Sequence, residues 1–153
     1  MTVPQLNPWL ADTPTVSFRL PGTNAMTRAR GKLEPTYKPW SINQDRRSHY
    51  VVRSQIVAHW RAGAAYAGQQ WRIASGRRGH LPFTVVQCRF WLPHAEQADP
   101  HNYCGTVVKA IIDGLCKGAH FWPDDTGKFV GHRESVLTLE KILPEIWLYF
   151  DEG

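Results

Sequence analysis

Residues 101–116 read HNYCGTVVKAIIDGLC, and this stretch decides the fold class. Val107, Val108, Ile111, Ile112 and Leu115 recur at i, i+4 and i+7 spacing, which collects them on one face of a helix. Asn102, Thr106, Lys109 and Asp113 fall on another face, at steps of 4, 3 and 4. The spacing predicts an amphipathic helix over 101–116. Strand-like runs flank it. Residues 81–92 come before, with Phe83, Val85 and Val86 at their centre. Residues 134–139 and 145–150 come after, beyond a turn at Trp122-Pro123-Asp124-Asp125.

Toward the N-terminus, Ser41 or Asn43 can cap a second helix that runs to about Gly68. Tyr50, Ile56, Val57, Trp60 and Ala64 give it an apolar face, and Gly63 and Gly68 weaken its end. A basic loop follows, with Arg72, Arg77 and Arg78. Residues 15–20 alternate as a short strand stopped by Pro21-Gly22, and residues 23–40 read as a loop. Residues 1–14 carry Pro4, Pro8 and Pro14 and read as an extended arm ahead of one domain, 15–153. The order strand–helix–strand–helix–strand–strand implies a small α/β domain with a mixed sheet and two main helices.

The length of 153 residues fits that single domain. A hydrophobic share of 42% excludes a disordered chain. No apolar run approaches the ~20 residues of a membrane helix. Residues 1–11 lack a basic segment followed by an apolar one, so no secretory leader is expected. Cys88, Cys104 and Cys116 are sparse and odd in number, which points to free thiols and a cytoplasmic setting. With His120, their spacing matches no common zinc pattern.

The net charge of +5 is unevenly spread. Up to residue 90 there are 13 Lys/Arg against 3 Asp/Glu; from residue 91 onward there are 5 against 10. A basic surface beside an acidic centre suits a polyanion and a metal-dependent reaction. Arg46, Arg47, Arg53, Arg77 and Arg78 are the candidate phosphate contacts, or else a solvated basic face. Trp122, beside the acidic turn, is the candidate for stacking on a base or wedging a branch open; core packing is the alternative.

Asp99 stands where a strand gives way to the helix, Lys109 and Asp113 lie one turn apart, and Asp124 and Asp125 sit on the turn beyond. Convergence of these carboxylates calls for a cation, and oxygen ligands suit Mg²⁺ or Mn²⁺. Such an ion activates water for phosphodiester hydrolysis, with a lysine such as Lys109 at the phosphate. Taken singly, the same residues fit an i,i+4 ion pair, a helix cap before proline and an ordinary turn.

Taken together, the stretch resembles the core motif of RusA-type Holliday junction resolvases. In that family an Asp-x-Asp-Asn segment opens a helix carrying Lys-Ala-x-x-Asp-x-Leu, followed by a Gly-x-Trp-x-Asp-Asp turn. The matching residues are Asp99 and Asn102, then Lys109, Ala110, Asp113 and Leu115, then Trp122, Asp124 and Asp125. The resemblance implies a homodimeric, Mg²⁺-dependent endonuclease that cuts four-way DNA junctions by paired nicks in recombination and repair. It needs no small-molecule cofactor and no membrane. Asp99 and Asp125 become metal ligands, Lys109 the catalytic lysine, and Asp113 and Asp124 supports. Two departures stand out. His101 replaces the family's second acidic residue, and imidazole serves Mn²⁺ better than Mg²⁺. Asn102 and Lys109 are seven apart, about one helical turn more than is common in the family. Asp113 is then expected to supply the carboxylate that position 101 lacks. The alternatives are a junction-binding protein with weakened catalysis, or a nuclease that prefers flaps or single strands.

Overall fold

The computed structural model describes residues 6–20, 26–29, 32–35, 50–92, 94–100 and 105–152. The expectations placed on Arg46, Arg47, His101, Asn102 and Cys104, and on the capped start of the first helix, lie outside these residues, as does the side chain of Arg53.

The domain is α/β. Strand β1 is Val16–Arg19, β2 Met26–Ala29, β3 Lys32–Pro35, and helix α1 Tyr50–Ser75. Strand β4 (Thr84–Trp91) leads to helix α2 (Thr106–Asp113), which continues into a wide π-helical turn, Gly114–Gly118. Strands β5 (Val130–His132), β6 (Val136–Thr138) and β7 (Glu145–Phe150) follow. One five-stranded mixed sheet forms around β4. β7 lies antiparallel on one side of it, with β1 beyond. β5 and β6 run parallel to β4 on its other side, β5 against its start and β6 against its end.

Alternation sorts the sheet's side chains. Val86, Cys88 and Phe90 of β4 share a face with Ile146, Leu148 and Phe150 of β7, and both helices pack on that face. Trp60 of α1 meets Phe90 edge-on at 5.9 Å. The opposite face holds Val85 and Tyr149, with Ala11 from the N-terminal segment. That segment is not the extended arm its prolines suggest. Asn7 gathers it into a turn, its carbonyl accepting from the N–H groups of Leu10 and Ala11 and its side chain from that of Trp9. Trp9 then lies against Gly131 of β5, where a side chain would collide with the indole.

Three further differences from the sequence reading have physical causes. Helix α1 does not end near Gly68 but runs seven residues further, because Gly68 fits beneath Leu115 and Ala119. It stops where Gly76 takes a left-handed φ of 70° and returns its N–H to the Arg72 carbonyl at 2.9 Å. The loop read over 23–40 contains the β2–β3 hairpin, whose four-residue strands lack apolar alternation. Strand β5, at three residues, is too short to show a period.

The two helices cross at glycines. A Cβ at Gly114 would strike the Arg61 carbonyl oxygen and stand 3.0 Å from the Ala64 Cβ, and one at Gly118 would strike Ala65. Gly114→Ala is therefore expected to cost about 1–3 kcal/mol, seen as a melting temperature lower by several degrees in a circular-dichroism melt. Gly127→Ala, which meets nothing within 4 Å, should stay within about 0.5 kcal/mol of the parent.

Candidate functional site

Helix α2 brings Lys109 and Asp113 to one side, one turn apart. Lys109 is exposed, whereas Asp113 is only 9% exposed, at the point where the helix widens into the glycine turn. Arg61 reaches Asp113 from the neighbouring helix, 3.7 Å away. The ion pair of Asp113 thus spans the helix crossing.

The acidic turn is fixed from below. Trp122 is 2% exposed, and its indole N–H donates to the Thr84 hydroxyl of β4 at 3.1 Å. The Cys116 thiol donates to the Trp122 carbonyl, at 3.4 Å. Upstream, the Arg72 guanidinium donates to the carbonyls of Ala119 (2.6 Å) and His120 (2.7 Å) and lies over the Phe121 ring. Above these anchors the chain emerges at Asp124 and Asp125, both exposed, and the Asp124 carboxylate accepts the Thr126 N–H at 3.0 Å. The expectation that Trp122 stacks on a base is corrected. Its ring is the foundation of the turn and offers no face to a ligand.

The anchored turn brings Asp125 to the same cavity wall as Asp113, close enough for each to shift the other's ionisation. Burial, and then the hydrogen bond and negative charge of Asp125, raise Asp113 above the ordinary carboxylate range. The same hydrogen bond lowers Asp125, helped by Asp124 and by the Lys117 ammonium. Asp113 is therefore the weaker acid of the pair and Asp125 the stronger. Burial, with the charges of Asp125, Asp124 and Asp113, also raises the Cys116 thiol, so it is no nucleophile.

Lys109, Asp113, Asp125 and His132 line a cavity of about 350 Å³. A second of about 770 Å³ opens on the other side of Asp125, between Lys117, His80, His120 and Asp124. Asp99 is exposed in the segment leading to α2 and lines neither. Arg78 is exposed; Arg77 pairs with Glu152 and lies over the Phe150 ring. Arg61, Lys117, His80 and His132 were not singled out from the sequence, and His120 only as a zinc candidate that its spacing set aside. Arg61 stands 52 positions from Asp113, beyond any local periodicity.

The donor set fits a hard divalent ion in a limited way. Among the described residues no group of three or more His, Cys, Asp or Glu is placed to hold a metal. Two carboxyls on one cavity wall are a pair between which a cation can sit, and Mg²⁺ binds through one or two carboxylates while keeping several waters. Asp113 and Asp125 are the residues that would hold it.

Ion binding competes with protonation of Asp113, so affinity is expected to fall as pH drops through the raised range of that group. Titration calorimetry with Mn²⁺ in buffers of different ionisation enthalpy should show proton release in that window. Asp113→Asn mimics the protonated carboxyl, so it should abolish the release and weaken binding by roughly 10-fold or more. A raised carboxyl favours the fold while protonated and loses that contribution as pH rises through its range, so Asp113→Asn should melt higher than the parent at neutral pH. No family model matches this chain, and no curated protein matches it.

Proposed function

We propose that this chain is a divalent-metal-dependent endonuclease of branched DNA that hydrolyses phosphodiesters at a four-way junction in the manner of the RusA-type resolvases. The observation that carries the reading is the Asp113–Asp125 carboxyl pair on the wall of one cavity that Lys109 also lines. Lys109, Asp113 and Asp125 are among the residues the motif resemblance names, whereas Asp99 and Asp124 do not line that cavity.

When bound, the metal would supply an activated water and offset charge on the phosphate. Everything else belongs to the chain. Asp125, anionic and exposed, presents the charge that draws the ion. Asp113, backed by Arg61, fixes the second oxygen ligand once its proton leaves. The Lys109 ammonium stands on the cavity wall, where it offsets charge gathering on the phosphate oxygens in the transition state. The wide glycine turn and the buried Trp122 hold the two carboxyls in register, so little reorganisation accompanies the reaction. A homodimer is part of the proposal, since a two-fold assembly suits paired nicks in a substrate of near two-fold symmetry.

One observation favours a second reading. Arg61 already places a cation 3.7 Å from Asp113, which competes with a metal for that carboxylate. A protein that binds junctions with weakened chemistry fits this arrangement.

Cleavage of a labelled synthetic four-way junction, beside linear duplex and flap controls in Mg²⁺, Mn²⁺ and EDTA, separates the two. The expected result is paired, metal-dependent nicks, slowed on the order of 100-fold or more by Asp125→Asn and by Lys109→Ala. Junction binding without cutting in either metal would replace the enzyme with the binding protein.

A further inference from the structure

Beyond the carboxyl pair, the surface is continuous in a way the motif does not foretell. The cavity that holds Lys109 and Asp113 shares Asp125 with the one that holds Lys117. That second cavity shares His80 and His120 with a third, of about 810 Å³, whose wall includes Arg78. These shared residues link the three cavities in a row, which we take as one trough. Its cations are Lys109 at one end and Lys117 and Arg78 toward the other, and its acids lie between.

Not every base in the trough is available. The Arg72 guanidinium is spent on the Ala119 and His120 carbonyls, and Arg77 on Glu152 and the Phe150 ring. Lys117 and Arg78 are exposed, and among the described residues neither forms an ion pair within 4 Å. The floor between them is shaped with some strain. His120 holds a left-handed φ of 56°, uncommon without glycine, and Arg72 clamps the carbonyls on both sides of that turn. Gly76 and Gly79, at φ of 70° and 78°, line the far end and meet nothing within 4 Å, so another backbone can approach closely there. The imidazoles beside Cys116 do not make this a transition-metal site, because no metal-holding group of three occurs among the described residues.

An acidic centre flanked along one trough by cations matches a chain of phosphates in which one is attacked and its neighbours are held. We infer that the trough seats the phosphodiester backbone of a single DNA strand across Asp125, with Lys117 and Arg78 holding the phosphates on one side of the cut and Lys109 standing at the cut itself. This rests on the endonuclease reading and adds the path of the strand. His80 and His120 line that path between Lys117 and Arg78, where they contact sugar or phosphate.

The test is binding of a fluorescent four-way junction by anisotropy across a KCl series in EDTA, paired with cleavage in Mg²⁺ and Mn²⁺. The variants are Arg78→Gln, Lys117→Gln and their combination. Arg19→Gln, a surface charge on β1, controls for net charge. Each trough substitution should reduce the slope of log K against log salt by ~0.7–0.9, the loss of one phosphate contact, and Arg19→Gln should not. A junction with one neutral methylphosphonate beside the cut should bind the parent more weakly, but should bind the double variant no more weakly than the unmodified junction does. Unchanged slopes with cleavage intact would overturn the strand path and leave the endonuclease standing. Reduced slopes without cleavage would uphold the path and remove the enzyme. No junction binding by the parent would overturn both.

Discussion

At Gly114 the backbone of one helix rests on the backbone of another, with no side chain between them. Helices in contact are ordinarily held 8–10 Å apart by the residues at their crossing. Here Gly114, Gly118 and Gly68 face Ala64, Ala65 and Ala119 and let α1 and the turn after α2 come closer. Two consequences follow from that one contact. Arg61, whose carbonyl Gly114 touches, is brought within reach of Asp113, the residue just before it. The wide turn then returns the chain through Phe121 and Trp122 into the core, and so sets where Asp125 emerges. The carboxyl pair is a product of helix packing as much as of the motif that contains it.

The same contact explains an electrostatic asymmetry. Asp113 belongs to the buried wall of the crossing and Asp125 to an exposed turn, so the first is made the weaker acid and the second the stronger. Two similar acids in different surroundings are driven to different protonation states, and such separation is a common mark of acid–base or metal chemistry. A structural ion pair can perturb a carboxyl in the same way. What distinguishes this one is its place at the junction of two cavities, with cations arranged along both.

The parts of the fold legible in the sequence were those with a strong period. The apolar face of α2 and the strand-like runs that became β4 and β7 stand as read, because burial leaves a dense or periodic apolar trace. What was not legible depended on tertiary contact. Gly68 reads locally as a weak point, yet in the folded chain it is the place where α1 can pass under Ala119. The turn around Asn7 is held by three N–H groups on one residue, which proline spacing does not reveal. In the site, Lys109, Asp113 and Asp125 were found from spacing and resemblance, and the structure brings them to one cavity. Asp99 shows the limit of that reading, since its place at the strand end does not bring it to either cavity that Asp125 lines. Arg61 could not be paired with Asp113 from sequence, because a helix crossing, not a repeat, makes them neighbours.

Trp122 carries the most instructive difference. An aromatic residue next to two acids has two readings, and sequence alone does not choose between them. The deciding fact is Thr84, 38 positions away, whose hydroxyl accepts the indole N–H while itself donating to the Pro82 carbonyl. A buried indole without an acceptor would be costly, so the threonine that opens β4 is what lets the ring go inside. With the ring inside, Pro123 and the two aspartates are forced outward, and a polar residue on a sheet strand comes to determine where a pair of carboxylates meets solvent.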